Sequence, residues 1–593
     1  MNHFYSKILC LLLTLAANVA ASAQVVVTAT AATTGPSTYT TLKGAFDAIN
    51  AGTHKGAITV SITGNTTEAA KDSLVPSSGT ASYTSVLIKP AAGVTATIST
   101  VTPFASTLID LAGATNVTID GSNTVGGTSK DLTIVNSDSL NTTIRFLLGA
   151  SNNTVKNCVI KGGALSVVNM SFSGATGNNN NTIQNNDITR NALHLPTIGI
   201  YNSGNSVSVN TNNKYIGNRI FDFALNGFRD GISSFTPATG FSSNTLFEGN
   251  EIFETAPVVG SISGIYTDNV SGITNMVIRR NHIHDLLTTV TPGANILVVS
   301  GINLYDAASV TIENNFIALS LPAASHIWGI AQQTAGTGKK IYYNTVRIFG
   351  AASDTSISYA YYKTYTSTND DLRNNMFINE RTTTGSRGQY ALAIGSTAAY
   401  TSNYNNLVSQ GNAQNIVVVS TAGGYPTLTA WQTASGKDAN SLSILPTFAS
   451  NIDLHLQNVT ANAALDNKGT PLAGFTTDYD NDTRSTTAPD MGADEFTVVA
   501  SAIASVNTEV NESALWPSVV HNETRLRVVS RQAMSITWNI TDASGRTVRT
   551  FTQQAHAGEN FLSIQLGGLQ AGAYNITGVS SRGGKLNLRF VKL

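Results

Sequence analysis

Through the middle of this chain apolar and polar residues alternate in twos, and each alternating run turns on an asparagine. The phrases NTVKNCVI (Asn153–Ile160), NTIQNNDI (Asn181–Ile188), NKYIGNRI (Asn213–Ile220) and TLFEGNEI (Thr245–Ile252) share one layout. MVIRRNHI (Met276–Ile283), VTIENNFI (Val310–Ile317), KIYYNTV (Lys340–Val346) and DLRNNMFI (Asp371–Ile378) continue it. The asparagine near the end of each phrase falls at Asn186, Asn218, Asn250, Asn281, Asn315, Asn344 and Asn375, in nearly equal steps. Cys158 holds that place one step earlier, and Asn406 extends the series one step later. Self-similarity at one period of this length marks stacked supersecondary units. Period-two alternation makes each unit a coil of short strands, not helices.

A second beat runs in step with the first. Gly199-Ile200, Gly231-Ile232, Gly264-Ile265, Gly301-Ile302 and Gly329-Ile330 each open a further short strand, and Ala360-Tyr361 stands in the same place. Two features with one period and a steady offset predict a right-handed parallel β-helix, an all-β solenoid. Each turn adds a strand to about three sheets, at roughly 4.8 Å per turn. Stacked asparagine side chains can hydrogen-bond along the solenoid as a ladder. That role accounts for Asn186, Asn218, Asn250, Asn281, Asn315 and Asn344 without any catalytic duty.

The remaining pattern divides the chain. Residues 1–23 read as a secretory signal, with Lys7, an apolar run Ile8–Ala17 and a cleavage motif Ala21-Ser22-Ala23. Residues 24–110 read as a cap and the first coils. Within them Leu42, Ala45, Phe46 and Ile49 recur at helical spacing after Thr40 and Thr41 and before Gly52. That short amphipathic helix is expected to cover the open end of the solenoid. Coils follow over 111–427, a closing segment over 428–497 and a linker over 498–510. Residues 511–593 alternate in longer strands between glycine turns, the pattern of a small β-sandwich.

Two segments resemble known families. WQ (Trp431-Gln432), DANS (Asp438–Ser441), the Asp478, Asp480, Asp482, Arg484 run and GADEF (Gly492–Phe496) resemble the closing segment of secreted bacterial, anchor-type β-helix proteins of the pectin-lyase-like class. The resemblance is confined to that closing segment and implies fold and surface location. DASGRTV (Asp542–Val548), AGENFLSIQLGGLQAGAYNI (Ala557–Ile576) and RFVKL (Arg589–Leu593) resemble the type A sorting domain of the type IX secretion system of Bacteroidetes. The chain departs from that family in WPSVV (Trp516–Val520), where a Pro-Asn-Pro element is usual. The resemblance implies the type IX machinery as a partner and a cell-surface or secreted location.

Composition narrows the function classes. Charged residues are 12% of the 593 and the net charge is −1, against a usual charged share of about 25%. There is no basic stripe, which argues against nucleic acid. Only Cys158 follows the signal, so no intramolecular disulfide forms, and no later apolar run is long enough to span a bilayer. A monomer is expected.

Three groups are candidates for chemistry. Arg279–Asp285 contains His282 and His284, which point outward if Ile283 points inward. Glu251, Arg219 and Asp187 should stack beneath His282. This column is either a charge ladder between strands or a site with His282 as general base. The Gly-apolar strands should present Tyr201, Ser233, Tyr266 and Asn303 outward, with Arg229, Asp230 and Tyr305 nearby. Such a flank suits stacking and hydrogen bonding to sugars, or is ordinary strand surface. Asp478, Asp480 and Asp482 can wrap Ca²⁺, or hold a turn with Arg484. No other cofactor is expected. The Gly-His-Gly and Arg-Ile-Lys motifs of galacturonidase-type hydrolases on this fold are missing. The expectation is therefore a non-enzymatic adhesion or glycan-contact protein. The alternative is a polysaccharide lyase or glycoside hydrolase on the same scaffold.

Overall fold

The computed structural model describes residues 23–498 and 510–593, apart from 164, 172, 231–240, 268–271, 290–296, 306–308, 322–324, 334–337, 353–355, 365–368, 396–399, 413, 517 and 582–584. The signal segment, the linker, Gly231-Ile232 and Ser233 fall outside the described residues. The chain divides into two compact units, Met1–Val498 and Val499–Leu593.

The first unit is a right-handed parallel β-helix with sheets of 14, 12 and 13 strands. Each repeated phrase spans the bend from the first sheet to the second: Thr182–Gln184 belongs to the first and Asp187–Arg190 to the second. Ile198–Asn202 then enters the third. Successive turns pair in register, with Ile188 on Ile220, Ile220 on Ile252 and Ile252 on Ile283. These residues are wholly buried in one core that runs the length of the unit.

The bend works through two adjacent residues. The first adopts left-handed backbone, as at Asn185, Asn314 and Asn374 (φ 52°, 53° and 60°). The second is the ladder asparagine. Asn218 Nδ2 donates to Asn250 Oδ1 at 3.0 Å and to the Ile183 carbonyl at 2.9 Å, and the Asn218 amide donates to the same Asn250 Oδ1 at 2.9 Å. The pattern repeats from Asn186 through Asn250, Asn281, Asn315, Asn344 and Asn375. Its last rung is Asn405, not Asn406. Asn406 is the first residue of the second-sheet strand, and its amide reaches outward to the Ile444 carbonyl. Cys158 sits in register with the ladder, its backbone amide donating to Asn186 Oδ1 at 2.9 Å. A shorter ladder of Asn153, Asn181 and Asn213 lines the bend into the first sheet.

The glycine beat has a steric cause. A Cβ on Gly329 would lie 2.3 Å from a Val346 methyl and 2.4 Å from the Ala360 carbonyl oxygen. At Gly264 the corresponding contacts are Ile283 and the Gly301 carbonyl, both at 2.8 Å. The third sheet therefore bends inward at each glycine, against the branched residue of the second sheet.

Both ends of the core are closed. The helix Leu42–Asn50 starts at Thr41, whose hydroxyl accepts from the Gly44 amide. Leu42, Ala45, Phe46 and Ile49 enter the core, and the Glu68 carboxylate accepts from the Leu42 and Lys43 amides. A carboxylate at a helix N-terminus is favourably placed. At the far end the helix Leu428–Ser435 inserts Trp431, which bonds Asp438 at 2.9 Å. Much of the rest of the closing segment lies on the outer face of the second sheet, and Leu472 and Phe475 reach Tyr342 of the first sheet. On the second sheet Phe448, Leu454, Leu456, Leu465 and Met491 pack on Phe316, Ala318, Met376, Ile378 and Val408. Among the described residues no helix is long and apolar enough to cross a membrane.

The second unit has a three-stranded and a five-stranded sheet around one core that includes Leu526, Val528, Trp538, Ile540, Ile564 and Phe590.

Two expectations follow from this packing. Asn250→Ala removes two donated and two accepted bonds from a buried bend. It is expected to cost about 2–4 kcal/mol in denaturant unfolding, while Ile283→Val costs about 1 kcal/mol. The second concerns Asp72, which is wholly buried beside Glu68. Burial first, and then the Glu68 charge, push its carboxyl up from 3.8 to about 10. Between those values the folded chain holds one more proton than the unfolded chain. Stability therefore falls as pH rises through that window, by at most about 1.4 kcal/mol per pH unit. Asp72→Asn should melt above the wild type at pH 8, with the difference shrinking toward pH 4.5.

Candidate functional site

The register builds the outward column of the second sheet as Asp187, Arg219, Glu251, His282 and Phe316 on successive turns. Arg219 Nε donates to Glu251 at 2.8 Å, and Lys130 pairs with Asp187 at 2.6 Å. His284, on the strand with His282, approaches Glu251 Oε1 with Nε2 at 3.3 Å and Asp285 with Nδ1 at 2.9 Å. The two imidazole rings lie 4.3 Å apart.

The closing segment covers the column at His282 and Phe316, while Arg219 stays exposed. His282 Nε2 bonds the Ile452 carbonyl at 2.9 Å. His455 stands edge-on to Phe316, and Tyr479 stacks on that ring at 4.1 Å. His455 is held by Asp453 and Asp480. Asp494 beside them accepts from the Leu456 amide at 2.7 Å. The expectation that His282 and His284 project freely is thus corrected: His284 is buried and His282 half-buried.

Electrostatics follow the packing. Burial and the neighbouring His284 push His282 below its ordinary range. Burial opposes the charge on His284, but Asp285 and Glu251 outweigh it and raise that group. The His284 hydrogen bond, together with Arg219, holds Glu251 down to about 2. A proton acceptor that must meet a polymer needs access, and the covering segment denies it to His282.

The three aspartates of the closing segment do not converge. Asp478 is buried, and it accepts from the Asp480, Asp482 and Glu495 amides at 2.9, 2.8 and 3.0 Å. Its oxygens are spent on the turn, while Asp480 faces His455. The Ca²⁺ arrangement of Asp478, Asp480 and Asp482 is therefore replaced by a turn. Arg484 anchors that turn, almost wholly buried, on Glu495 at 3.1 Å, Asn314 at 2.8 Å and the face of Tyr343 at 4.1 Å.

The third sheet also departs from expectation. Tyr201, Tyr266 and Asn303 share one column, but the register puts Arg229, not Ser233, between Tyr201 and Tyr266. However, Tyr201 and Asn303 are each only 4% exposed, and Asn303 accepts from Gln333 at 2.7 Å. Arg229 lies over the half-buried Tyr266 ring at 5.2 Å. Tyr305 is half-buried just beyond the strand that carries Asn303. Asp230 turns away from Arg229 to Ser242 and Asn202, wholly buried, and burial pushes it up to about 7. Arg229 and Asp230 therefore do not act on one point.

The sequence reading missed a second aromatic group. Trp328, Tyr359 and Tyr390 form a column on successive turns, with Tyr362 beside them. Tyr359 stacks on Tyr362 at 4.7 Å and on Tyr390 at 5.3 Å, and Trp328 lies 5.2 Å from Tyr362. All four are half-buried. Their signal was present: each column member stands immediately before Gly329, Ala360 or Ala391.

Among the described residues, two groups of donor atoms are close enough to share an ion. One is Glu251, His282 and His284, and the other is His455, Asp480 and Asp494.

No protein-family model matches the chain, and no curated protein does. Among solved structures it is similar to the enzymatically active domain of bacteriophage CBA120 tailspike protein 2. That likeness has 10% identity, covers 94% of this chain and 75% of the other, and has a TM-score of 0.25. It is also similar to full-length tailspike protein 2 from an Escherichia coli O157:H7 bacteriophage, at 10% identity, with 94% and 67% coverage and a TM-score of 0.27. At such scores no ligand and no reaction carries over, and the chain is characterised by its own coils as a parallel β-solenoid.

Proposed function

We propose that the chain is an exported protein of the cell surface or extracellular space, a β-solenoid that contacts glycans along its third sheet without cleaving them. The observation that carries this reading is the half-buried stack of Trp328, Tyr359, Tyr362 and Tyr390. Aromatic rings give apolar contact area with a polar handle, which suits the mixed faces of sugars. Rings already fixed by stacking lose little freedom when a ligand settles against them. Arg387 is exposed and close enough for its charge to act on Tyr359 and Tyr390. A neutral or weakly acidic chain fits that flank. Contacts repeated along the solenoid would add avidity.

Catalysis of glycan cleavage needs a proton acceptor and a stabiliser of developing charge at one accessible point. Among the described candidates, His282 lies under the closing segment, His284 is buried and Arg229 faces away from Asp230. Export rests on the signal-like start and on the module over 511–593, for which the type IX machinery is the proposed partner.

The test is a glycan array on the purified chain, with reducing-end and unsaturated-product assays in parallel. Tyr359→Ala with Tyr362→Ala is expected to weaken binding roughly tenfold, a loss of about 1.4 kcal/mol, with no product formed. Turnover that disappears in His282→Ala or Arg229→Ala would overturn this reading in favour of a lyase or hydrolase. Deleting 510–593 should retain the protein inside the cell with the solenoid folded, since a solenoid draws its stability from neighbouring coils. Normal surface levels of the truncated chain would exclude a sorting role.

A further inference from the structure

We propose that Glu251, His282 and His284 bind a divalent transition-metal ion, with zinc the best match. One donor atom from each residue lies within 4.8 Å of the other two. Two imidazoles and one carboxylate form a donor set suited to zinc and its neighbours, not to calcium or magnesium, which favour oxygen alone.

The surrounding bonds are those a metal ligand needs. A ligating histidine generally gives its other ring nitrogen to a carboxylate or a backbone carbonyl, and a ligating carboxylate is itself hydrogen-bonded. All three residues meet this condition. Asp285 takes Nδ1 of His284 at 2.9 Å, which leaves Nε2 facing Glu251. The Ile452 carbonyl takes Nε2 of His282 at 2.9 Å, which leaves Nδ1. Arg219 Nε holds the second oxygen of Glu251 at 2.8 Å. Each donor is thus oriented by a partner on its far side.

Spacing separates this group from its neighbour. His284 Nε2 and Glu251 Oε1 are 3.3 Å apart. A charge-assisted hydrogen bond closes to about 2.7–2.9 Å. Two ligands about 2.0–2.1 Å from one tetrahedral ion stand roughly 3.3 Å apart. In the other group His455 Nε2 and Asp480 lie at 2.7 Å, a direct bond with no room for an ion between them. The His284–Glu251 pair therefore has the spacing of two ligands on one ion, which the His455–Asp480 pair lacks.

The position gives the ion a structural task. Glu251 and His282 occupy facing places on adjacent turns, and Ile452 belongs to the closing segment. A bound ion would link two coils and, through His282, fix the segment that lies over them. Three protein ligands would leave one coordination place for another group.

The experiment uses the untagged full chain, stripped with chelator and titrated with Zn²⁺ by calorimetry and with Co²⁺ by visible absorption. One equivalent of Zn²⁺ is expected, together with a Co²⁺ spectrum of tetrahedral type and a rise in melting temperature. His284→Gln should abolish both signals. Asp285→Asn, which changes no ligand, should weaken Zn²⁺ binding by about 10–100-fold while the far-ultraviolet dichroism stays unchanged. His455→Gln should leave the affinity as it was. Absence of saturable binding, or an affinity unaltered in both His284→Gln and Asp285→Asn, would overturn the proposal. Loss of binding in His455→Gln equal to that in His284→Gln would overturn it as well.

Discussion

The whole solenoid depends on satisfying buried backbone at the bend between its first and second sheets. Strands pair with the turns above and below, but a bend breaks that pairing once per coil. A buried amide or carbonyl left open there costs on the order of 1–3 kcal/mol, and the cost recurs at every turn. The asparagine ladder removes it. Each side chain donates to the next rung and to a carbonyl on the preceding turn, and accepts the backbone amide of the rung before. Serine has no amide to donate twice, and aspartate would add a column of like charges. The long run of asparagine is therefore a consequence of the coil geometry.

Much of the fold was legible because such constraints repeat. The ladder and the glycine contacts recur at one period, and periodic demands leave periodic residues. The error at the last rung has a local cause. Asn405 and Asn406 are adjacent, and the layout of the earlier phrases did not distinguish them. The rule that does is the left-handed residue just before the ladder: Tyr404 has φ of 55°, which makes Asn405 the rung. The pairs Asn185-Asn186, Gly217-Asn218 and Gly249-Asn250 carry the same rule, since asparagine and glycine tolerate that backbone.

The candidate sites were less legible, because alternation tells which way a residue points and not what later covers it. Tyr201 points away from the core and is nevertheless 4% exposed. His282 points outward and meets Ile452, far along the chain in the closing segment. That segment has no repeat, so its path over the second sheet is written only in scattered apolar residues such as Phe448, Leu454 and Met491. The Trp328 column shows the converse. It is periodic and readable, but it lies in the residue before each small one, whereas the steady beat of isoleucine marks the residue after.

This covering also explains why ionisable side chains gather where they do. A solenoid with few charges can place them almost anywhere on its surface, yet His282, His455, Asp480, Asp494 and Arg484 all lie beneath or within one segment. Apolar contact alone could slide along a uniform face, since one coil closely resembles the next. Charges and ring nitrogens cannot, because each must meet its own partner or remain buried without one. Arg484 fits Asn314, Glu495 and the Tyr343 face together and would find that set at no other coil. The polar contacts therefore add register to a covering held down by Phe448 and its neighbours. On a repeating scaffold, choosing one coil among many similar ones is the harder requirement.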